Sequence, residues 1–348
     1  MQKSDELKNE SLDNLITLQA LINEFPISQK NTEHIIQSRK KIQSILIGKD
    51  KRLLVIIGPC SIHDTKSALE YAKKLMQLHV NYEDYLEIVM RTYFEKPRTV
   101  IGWKGFISDP ELNNSFKINK GLRLARELLV NINKLKLPTA TEFLDTIISQ
   151  YLADLISWGA IGARTTESQI HRQMASALPC PIGFKNSTNG NIDIAINAVR
   201  AAYTEQIFLS PNKNGEITIY KTKGNPYGHI IMRGGKHPNY NKKNINIACN
   251  QLKKFQLPQK LIIDCSHGNA QEKHLLQLKV AKNIAKQLKN GSKAIVGIMV
   301  ESFLIEGAQK LIRKNLLTYG QSITDPCLGW KDTKKLLQII ANAVKYRF

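Results

Sequence analysis

The sequence predicts a (β/α)8 TIM barrel with an N-terminal extension and an inserted β-hairpin, on three observations. Eight short apolar, β-branched runs recur from residue 53 onward, helical segments separate them, and no Gly/Ser/Pro-rich linker divides the chain. The runs are LLVII (53–57), LEIVM (86–90), LPTAT (137–141), AIGA (160–163), PIGF (181–184), HIIM (229–232), LIID (261–264) and AIVGIMV (294–300). Strands that are apolar throughout are buried on both faces, which is the condition of a parallel sheet joined by helical crossovers. Between them KSALEYAKKLMQL, GLRLARELLVNINKL, DIAINAVRAAY and KHLLQLKVAKNIAKQL carry apolar residues at helical spacing. Eight such units in roughly 250 residues is the count of a closed barrel. An open doubly wound sheet is the competing arrangement.

Two additions decorate that frame. Residues 1–45 form an extension with helical spacing in HIIQSRKKIQSIL, assigned to oligomer contacts, and the catalytic barrel occupies 46–348. Within the barrel, IFLSPNKNGEITIYK places an Asn-Gly pair between two β-like runs, a strong hairpin signal, so a hairpin is inserted at about 205–228.

Composition bounds the function. A chain of 348 residues, 42% of them hydrophobic, can bury a substantial core. It contains no run near the roughly 20 apolar residues of a membrane span, and the start MQKSDELKNESLDN lacks the apolar stretch of a secretory signal, so a cytoplasmic protein with no membrane partner is expected. The five cysteines are scattered and never spaced C-x-x-C, which argues for reduced thiols. The net charge of +21 suits either nucleic acid or small anionic substrates. Lysines spread along nearly every helix with no recognition motif, so no nucleic-acid partner is expected.

Functional groups of a parallel barrel sit where strands end. Reading those ends in order gives Cys60 in GPCSIHD, Arg91 and Lys96 in MRTYFEKPRT, Glu142 in TEF, Arg164 in GARTTES, Lys185 in FKN, Arg233 in MRGG, His267 in DCSHGN and Glu301 in VES. Arg91, Lys96, Arg164, Lys185 and Arg233, with Arg98 close behind, make an anion trap, since cations crowded on one rim repel unless phosphate or carboxylate offsets them. Each alone is equally a surface cation or an ion-pair member. Cys60, His267 and Glu301, joined by Asp325 in SITDPCLGW, form a mixed donor set suited to one divalent Mn, Fe, Co or Zn ion. Taken singly, Cys60 reads as a small buried hydrophobe and Asp325 as a turn residue before Pro326. Cys265 and Cys327 read as thiols on the opposite strand face, Asp64 as the cap of a helix starting near Thr65, His63 as a candidate acid or base, and Trp103 and Lys104 as pocket wall.

The strings GPCSIHD, MRTYFEKPRTVIGWKGFISDP, GARTTESQIHRQMAS, GFKNSTNGNIDIAINA, IIMRGGK, DCSHGN and SITDPCLGW together resemble the class I 3-deoxy-D-arabino-heptulosonate 7-phosphate (DAHP) synthases over nearly the whole chain. Among the amino-acid-regulated forms the resemblance is greatest to the tryptophan-sensitive one. It implies a (β/α)8 barrel, metal ligands at Cys60, His267, Glu301 and Asp325, phosphoenolpyruvate contacts at Arg91, Lys96, Arg164, Lys185 and Arg233, and a sugar-phosphate motif at Lys96, Pro97, Arg98 and Thr99. The implied reaction condenses phosphoenolpyruvate with erythrose 4-phosphate and water, the first step of the shikimate pathway. C3 of phosphoenolpyruvate attacks the aldehyde carbon under metal polarisation, water adds at C2, and phosphate leaves by C–O cleavage. Lys96 is the implied proton donor to the new alkoxide and Glu142 orders the arginines or a water; the catalytic set is Lys96, Cys60, His267 and Asp325.

The resemblance also implies a homodimer or homotetramer and a tryptophan effector pocket at Gln150, Pro179, Phe208 and Ser210. Pro179 stands where the family commonly carries Ser, and a residue without an N–H predicts weakened or altered feedback. Ser187 and Asn189 replace a more common Gly and Asp, and Cys265 an aromatic, changes expected to preserve activity. The competing readings are condensation with arabinose 5-phosphate and a non-catalytic basic nucleic-acid-binding protein; the KPRT run and the absence of recognition motifs oppose them.

Overall fold

The computed structural model describes residues 8–98, 102–311 and 313–347. Two helices precede the first strand: α1 (Leu18–Glu24), capped by Thr17, and α2 (Gln29–Leu46), capped by Ser28. Strand and helix then alternate through β1 (Leu53–Gly58), α3 (Thr65–Asn81), β2 (Leu86–Arg91), α4 (Ile118–Lys134), β3 (Thr139–Glu142), α5 (Ile148–Leu152), β4 (Trp158–Ile161), α6 (Gln169–Ala177), β5 (Ile182–Lys185) and α7 (Asp193–Tyr203). The hairpin β6 (Ile207–Pro211) and β7 (Ile217–Lys221) interrupts the alternation, which resumes with β8 (His229–Met232), α8 (Lys242–Lys254), β9 (Leu261–Asp264), α9 (His267–Ala270), α10 (Leu276–Lys289), β10 (Ile295–Glu301) and α11 (Trp330–Val344).

Eight parallel strands close in the order β1-β10-β9-β8-β5-β4-β3-β2, with β5 pairing β8 directly across the excluded hairpin. Every residue of these eight strands is buried, which explains their unbroken apolar runs. The barrel is the expected one, and two strand boundaries shift. The third strand starts after Pro138, and the fourth covers Trp158–Ile161 instead of 160–163, because Gly162 already accepts from Thr165 and Thr166 in the following turn.

Packing explains the shift of β4. Trp158 fills the barrel interior with Leu54, Ile56, Ile231 and Ile262, and its indole N–H faces His229 Nε2 at 3.2 Å. Opposite it, a Cβ on Gly183 would meet the indole at 2.7 Å, so one strand contributes bulk where its neighbour contributes none. Ile42, Ile45 and Leu46, in the last turns of α2, join the same interior cluster. The extension therefore supplies the barrel's floor.

The rest of the extension is tied to the flank. Arg39 donates to the carbonyls of Ala153 and Ile156, Tyr151 donates its hydroxyl to the Ile16 carbonyl at 2.6 Å, and Arg126 reaches both Phe25 and the Asp154 carboxylate. In the hairpin, Asn212 closes the loop with Glu216 and Gly215 takes φ +89, the left-handed conformation that the Asn-Gly pair signalled.

Candidate active site

Because all eight strands run the same way, their carboxyl ends form one ring, and the chemically active residue types converge there. Cys60 Sγ lies 3.2 Å from Asp325 Oδ2, and Cys60, Glu301 and Asp325 each bring a ligand atom within 4.8 Å of the others. Cys60 and Glu301 are buried, whereas 55% of the Asp325 side chain stays accessible, so the cluster has a closed back and an open front. Burial, then the Glu301 carboxylate, pushes the Cys60 thiol up to about 12. Such a thiol ionises only when a cation joins it.

His267 approaches from the other side, its Nε2 3.7 Å from Glu301 Oε1. Its Nδ1 is occupied by Ser266 Oγ at 2.8 Å and Asp264 Oδ2 at 2.9 Å, which leaves Nε2 turned toward the cluster. An imidazole with one nitrogen on a carboxylate and the other free is the arrangement of a metal-binding histidine. Its backbone sits at φ +50, a left-handed conformation that costs a non-glycine residue on the order of 1 kcal/mol. Gln277 brackets the backbone of Glu301, donating to its carbonyl and accepting its N–H, both at 2.9 Å. A thiol, two carboxylates and this imidazole fit a divalent transition ion.

The cations stand beside these donors. Arg91 is fully buried over the Tyr93 ring at 3.8 Å and reaches Glu301 at 3.3 Å, while its Nη1 has no hydrogen-bond partner among the described residues. Removing Glu301 would leave that guanidinium buried and uncompensated, a change worth about 3–5 kcal/mol. Lys96 Nζ lies 3.0 Å from Cys60 Sγ and 3.8 Å from Asp325; burial opposes its charge, but Cys60, Asp325 and Glu301 outweigh it and raise the pKa. Burial likewise works against the Asp325 charge, and Lys96 and His267 reverse the effect and hold its pKa low. Lys185 is buried 3.4 Å from Asp264. Burial opposes the Asp264 charge too, yet His267 and Lys185 keep its pKa well below the carboxylate range.

Arg164 and Arg233 occupy the loops after β4 and β8, exposed and half-buried respectively. Beside Arg233, three loops are locked together by bare backbone. A Cβ on Gly235 would fall 2.4 Å from Gly190 N, and one on Gly268 would fall 2.7 Å from Gly235 N, so the loops after β5, β8 and β9 touch without side chains between them. Asn186 accepts from the Arg233 N–H, and Asn269 ties Met232 to Asp264. Ser187 and Asn189 close the β5 loop by hydrogen-bonding to each other and to the Asn191 N–H.

Other expected residues fall as follows. Lys96, Pro97, Arg98 and Trp103 line a cleft of about 1050 Å³ that also includes Glu95 and Lys104. Thr99 lies outside the described residues. Glu142 ends β3 and is buried. Asp64 caps α3, accepting from Ser67 N at 2.8 Å, while His63 is buried edge-on against Phe303 and its pKa is lowered by burial. Cys327 Sγ accepts from the Cys60 N–H, and Cys265 packs in the core between strands and helices.

A second cavity, of about 840 Å³, is lined by Gln150, Pro179 and Phe208 with residues of the extension and hairpin. Ser210 shares the inward face of β6 with Phe208, and its buried hydroxyl has no partner among the described residues.

Sequence reading passed over Asp264, Tyr93, Glu95 and Gln277. Only Asp264 left a legible signal, the D-x-x-H spacing at the end of β9.

A parallel barrel whose rim joins a thiol–carboxylate–imidazole cluster to buried cations defines the class, a barrel built for metal-assisted chemistry on anionic substrates. Residues 24–338 match the model of the DAHP synthetase I family. The chain is 60% identical over 348 residues to "Phospho-2-dehydro-3-deoxyheptonate aldolase, Trp-sensitive" of Escherichia coli (strain K12), covering all of both chains, and equally to the protein of that name from Buchnera aphidicola subsp. Baizongia pistaciae. The structure of phospho-2-dehydro-3-deoxyheptonate aldolase from Francisella tularensis SCHU S4 superposes with a TM-score of 0.95 at 49% identity, covering 98% of this chain and 99% of that one. This chain belongs to the DAHP synthetase I family.

Glu95 yields a prediction with a defined sign. Burial, then the neighbouring Asp145 carboxylate, raises its pKa from 4.5 to about 8. The folded state therefore holds a proton that the unfolded chain has lost, and stability falls as pH rises from about 4.5 to 8. Glu95→Gln should remove that loss: in thermal unfolding, the Tm of the variant relative to the parent rises between pH 5 and pH 9. A constant difference across that range would contradict it.

Proposed function

We propose that the chain is a transferase, a 3-deoxy-7-phosphoheptulonate synthase, which condenses phosphoenolpyruvate with erythrose 4-phosphate and water to give 3-deoxy-D-arabino-heptulosonate 7-phosphate and inorganic phosphate. The observation that carries the reading is the Cys60, Glu301 and Asp325 cluster, within 4.8 Å, set against Lys96 and Arg91. Full-length relatives at 60% identity support it.

Cys60, His267, Glu301 and Asp325 would hold the divalent ion, and the sulfur–nitrogen–oxygen donor set favours Mn, Fe, Co or Zn over Mg or Ca. When bound, the ion supplies Lewis-acid polarisation of the aldehyde carbonyl. Asp264 fixes the tautomer of His267 through Nδ1, and that contact orients Nε2. Arg91, with Nη1 unpartnered among the described residues, Lys185, Arg164 and Arg233 bind the carboxylate and phosphate of phosphoenolpyruvate. Held in a fixed fork, these groups also stabilise charge that moves onto the departing phosphate.

Lys96 has the position for proton donation. It enters the cleft beside Cys60 and Asp325, is kept charged by them, and delivers a proton to the alkoxide formed by C–C bond closure. Pro97 and Arg98 continue along the cleft toward the sugar phosphate, with Trp103 as its wall. Burial of Glu142 next to the β4 loop suits it to ordering a water or an arginine.

A homo-oligomer is part of the same reading. Ile207, Leu209, Ile217 and Ile219 expose 65–73% of their surface on one face of the hairpin. Leu209 and Ile219 are cross-strand partners, so the face is a continuous aliphatic strip that a second copy would cover. The cavity behind the hairpin, with Gln150, Pro179 and Phe208 on its wall, is proposed as the tryptophan site.

Three outcomes follow. In a metal-reconstituted assay of phosphate release with both substrates, Cys60→Ala loses turnover with the circular dichroism spectrum unchanged; full retention of activity would sink the metal assignment. Leu209→Lys with Ile219→Lys shifts the sedimentation profile to a smaller species, and an unchanged profile removes the hairpin from the interface. Replacing Pro179 by Ser restores an N–H and a hydroxyl at the cavity wall, so half-inhibition needs roughly threefold less tryptophan than in the parent, the worth of one hydrogen bond. Strong inhibition of the parent by micromolar tryptophan would refute weakened feedback.

A further inference from the structure

The opposite end of the barrel carries a second gathering of positive charge. There the loop after α2, the loop before β9, the loop between α10 and β10 and the 3-10 turn Lys345–Arg347 surround a cavity of about 360 Å³. Lys260, Lys293 and Arg347 line it, and Ile45, Val296 and Tyr346 supply apolar wall. Cavities of this size suit small metabolites.

Two of these cations are held in place by neutral groups. Arg347 is anchored by the carbonyls of Lys51, Ser292 and Ile295, and Lys260 Nζ donates to the Lys293 carbonyl at 2.9 Å. Among the described residues no carboxylate pairs with any of them, and the one acid on the wall, Asp50, is bound bidentately by Arg52 at 2.7–3.2 Å. Burial lowers the pKa of Lys260, with Arg347 and Lys293 adding repulsion, and burial alone takes Arg347 to about 10. Like charges kept together with no carboxylate partner among the described residues carry an electrostatic cost that a dianion relieves. Gly48 leaves the approach open, since a Cβ there would lie 3.2 Å from Lys260 Nζ.

We propose that this cavity binds a small organic phosphate, its phosphate group on Lys260, Lys293 and Arg347 and its apolar body against Ile45, Val296 and Tyr346. A guanidinium and two ammonium groups together match the charge of a phosphate dianion better than that of a single carboxylate. The site is separate from the catalytic rim: Val296 stands near the start of β10 and Glu301 at its end, five residues or about 16 Å away along the strand. The inference is independent of which reaction the rim performs.

The test is calorimetric titration of phenyl phosphate and of inorganic phosphate into the full chain carrying Arg164→Gln and Arg233→Gln, which weakens any phosphate affinity of the rim. Phenyl phosphate binds in that background, more tightly than inorganic phosphate, and adding Lys260→Gln with Lys293→Gln weakens it at least tenfold. The same two lysine substitutions in the otherwise unaltered chain leave turnover and the circular dichroism spectrum unchanged, which separates loss of the site from loss of the fold. The proposal is overturned if phenyl phosphate fails to bind, if inorganic phosphate binds equally well, or if the exposed pair Lys331→Gln and Lys334→Gln causes the same loss through net charge alone.

Discussion

The closure of eight parallel strands is the constraint on which the rest of this molecule depends. A closed parallel sheet has all its carboxyl ends on one side, so residues as distant in sequence as Cys60 and Asp325 come within 3.2 Å without any local motif joining them. Closure also buries both faces of every strand, and that burial makes the charged groups at the strand ends consequential. Arg91 and Glu301 are the last residues of β2 and β10, buried together at 3.3 Å, and neither charge is tolerable there without the other.

Charge balance at the rim follows from the same geometry. The carboxylates repel one another, the cations repel one another, and the two sets are interleaved so that each offsets part of the other. Lys96 lies against Cys60 and Asp325, Lys185 against Asp264, and Arg91 against Glu301. The compensation is incomplete: Arg91 retains an unpartnered Nη1 among the described residues, and Asp325 faces the opening. That residue of unmet hydrogen bonding and charge is what a metal ion and an anionic substrate supply.

The floor and flank of the barrel show a different use of the extension. Ile42 and Ile45 seal the interior from below, while Arg39, Tyr151 and Arg126 hold α1 and α2 against α4 and α5. The cavity lined by Gln150, Pro179 and Phe208 exists because helices of the extension and the hairpin lean over that flank together. A ligand in it would touch the extension, the flank and the hairpin at once, which gives binding there a route to the hairpin and the extension.

The sequence by itself determined the barrel, because strands buried on both sides must be apolar throughout and the helices between them must be amphipathic. LLVII, HIIM and LIID carried that signal almost to the residue. It also determined the ionisable residues delivered at the strand ends, since position after a strand suffices to place Cys60, Arg91, Lys185 and Glu301 on one rim once closure is assumed. Family-wide strings supplied the effector residues, which no periodicity marks. Only the tertiary structure decided that Asp264 grips His267, that Tyr93 underlies Arg91 and that Gln277 clamps Glu301. These are contacts between side chains on different strands and loops, set by distances of 3–4 Å, and a one-dimensional pattern records which face a residue takes but not which neighbour it meets there.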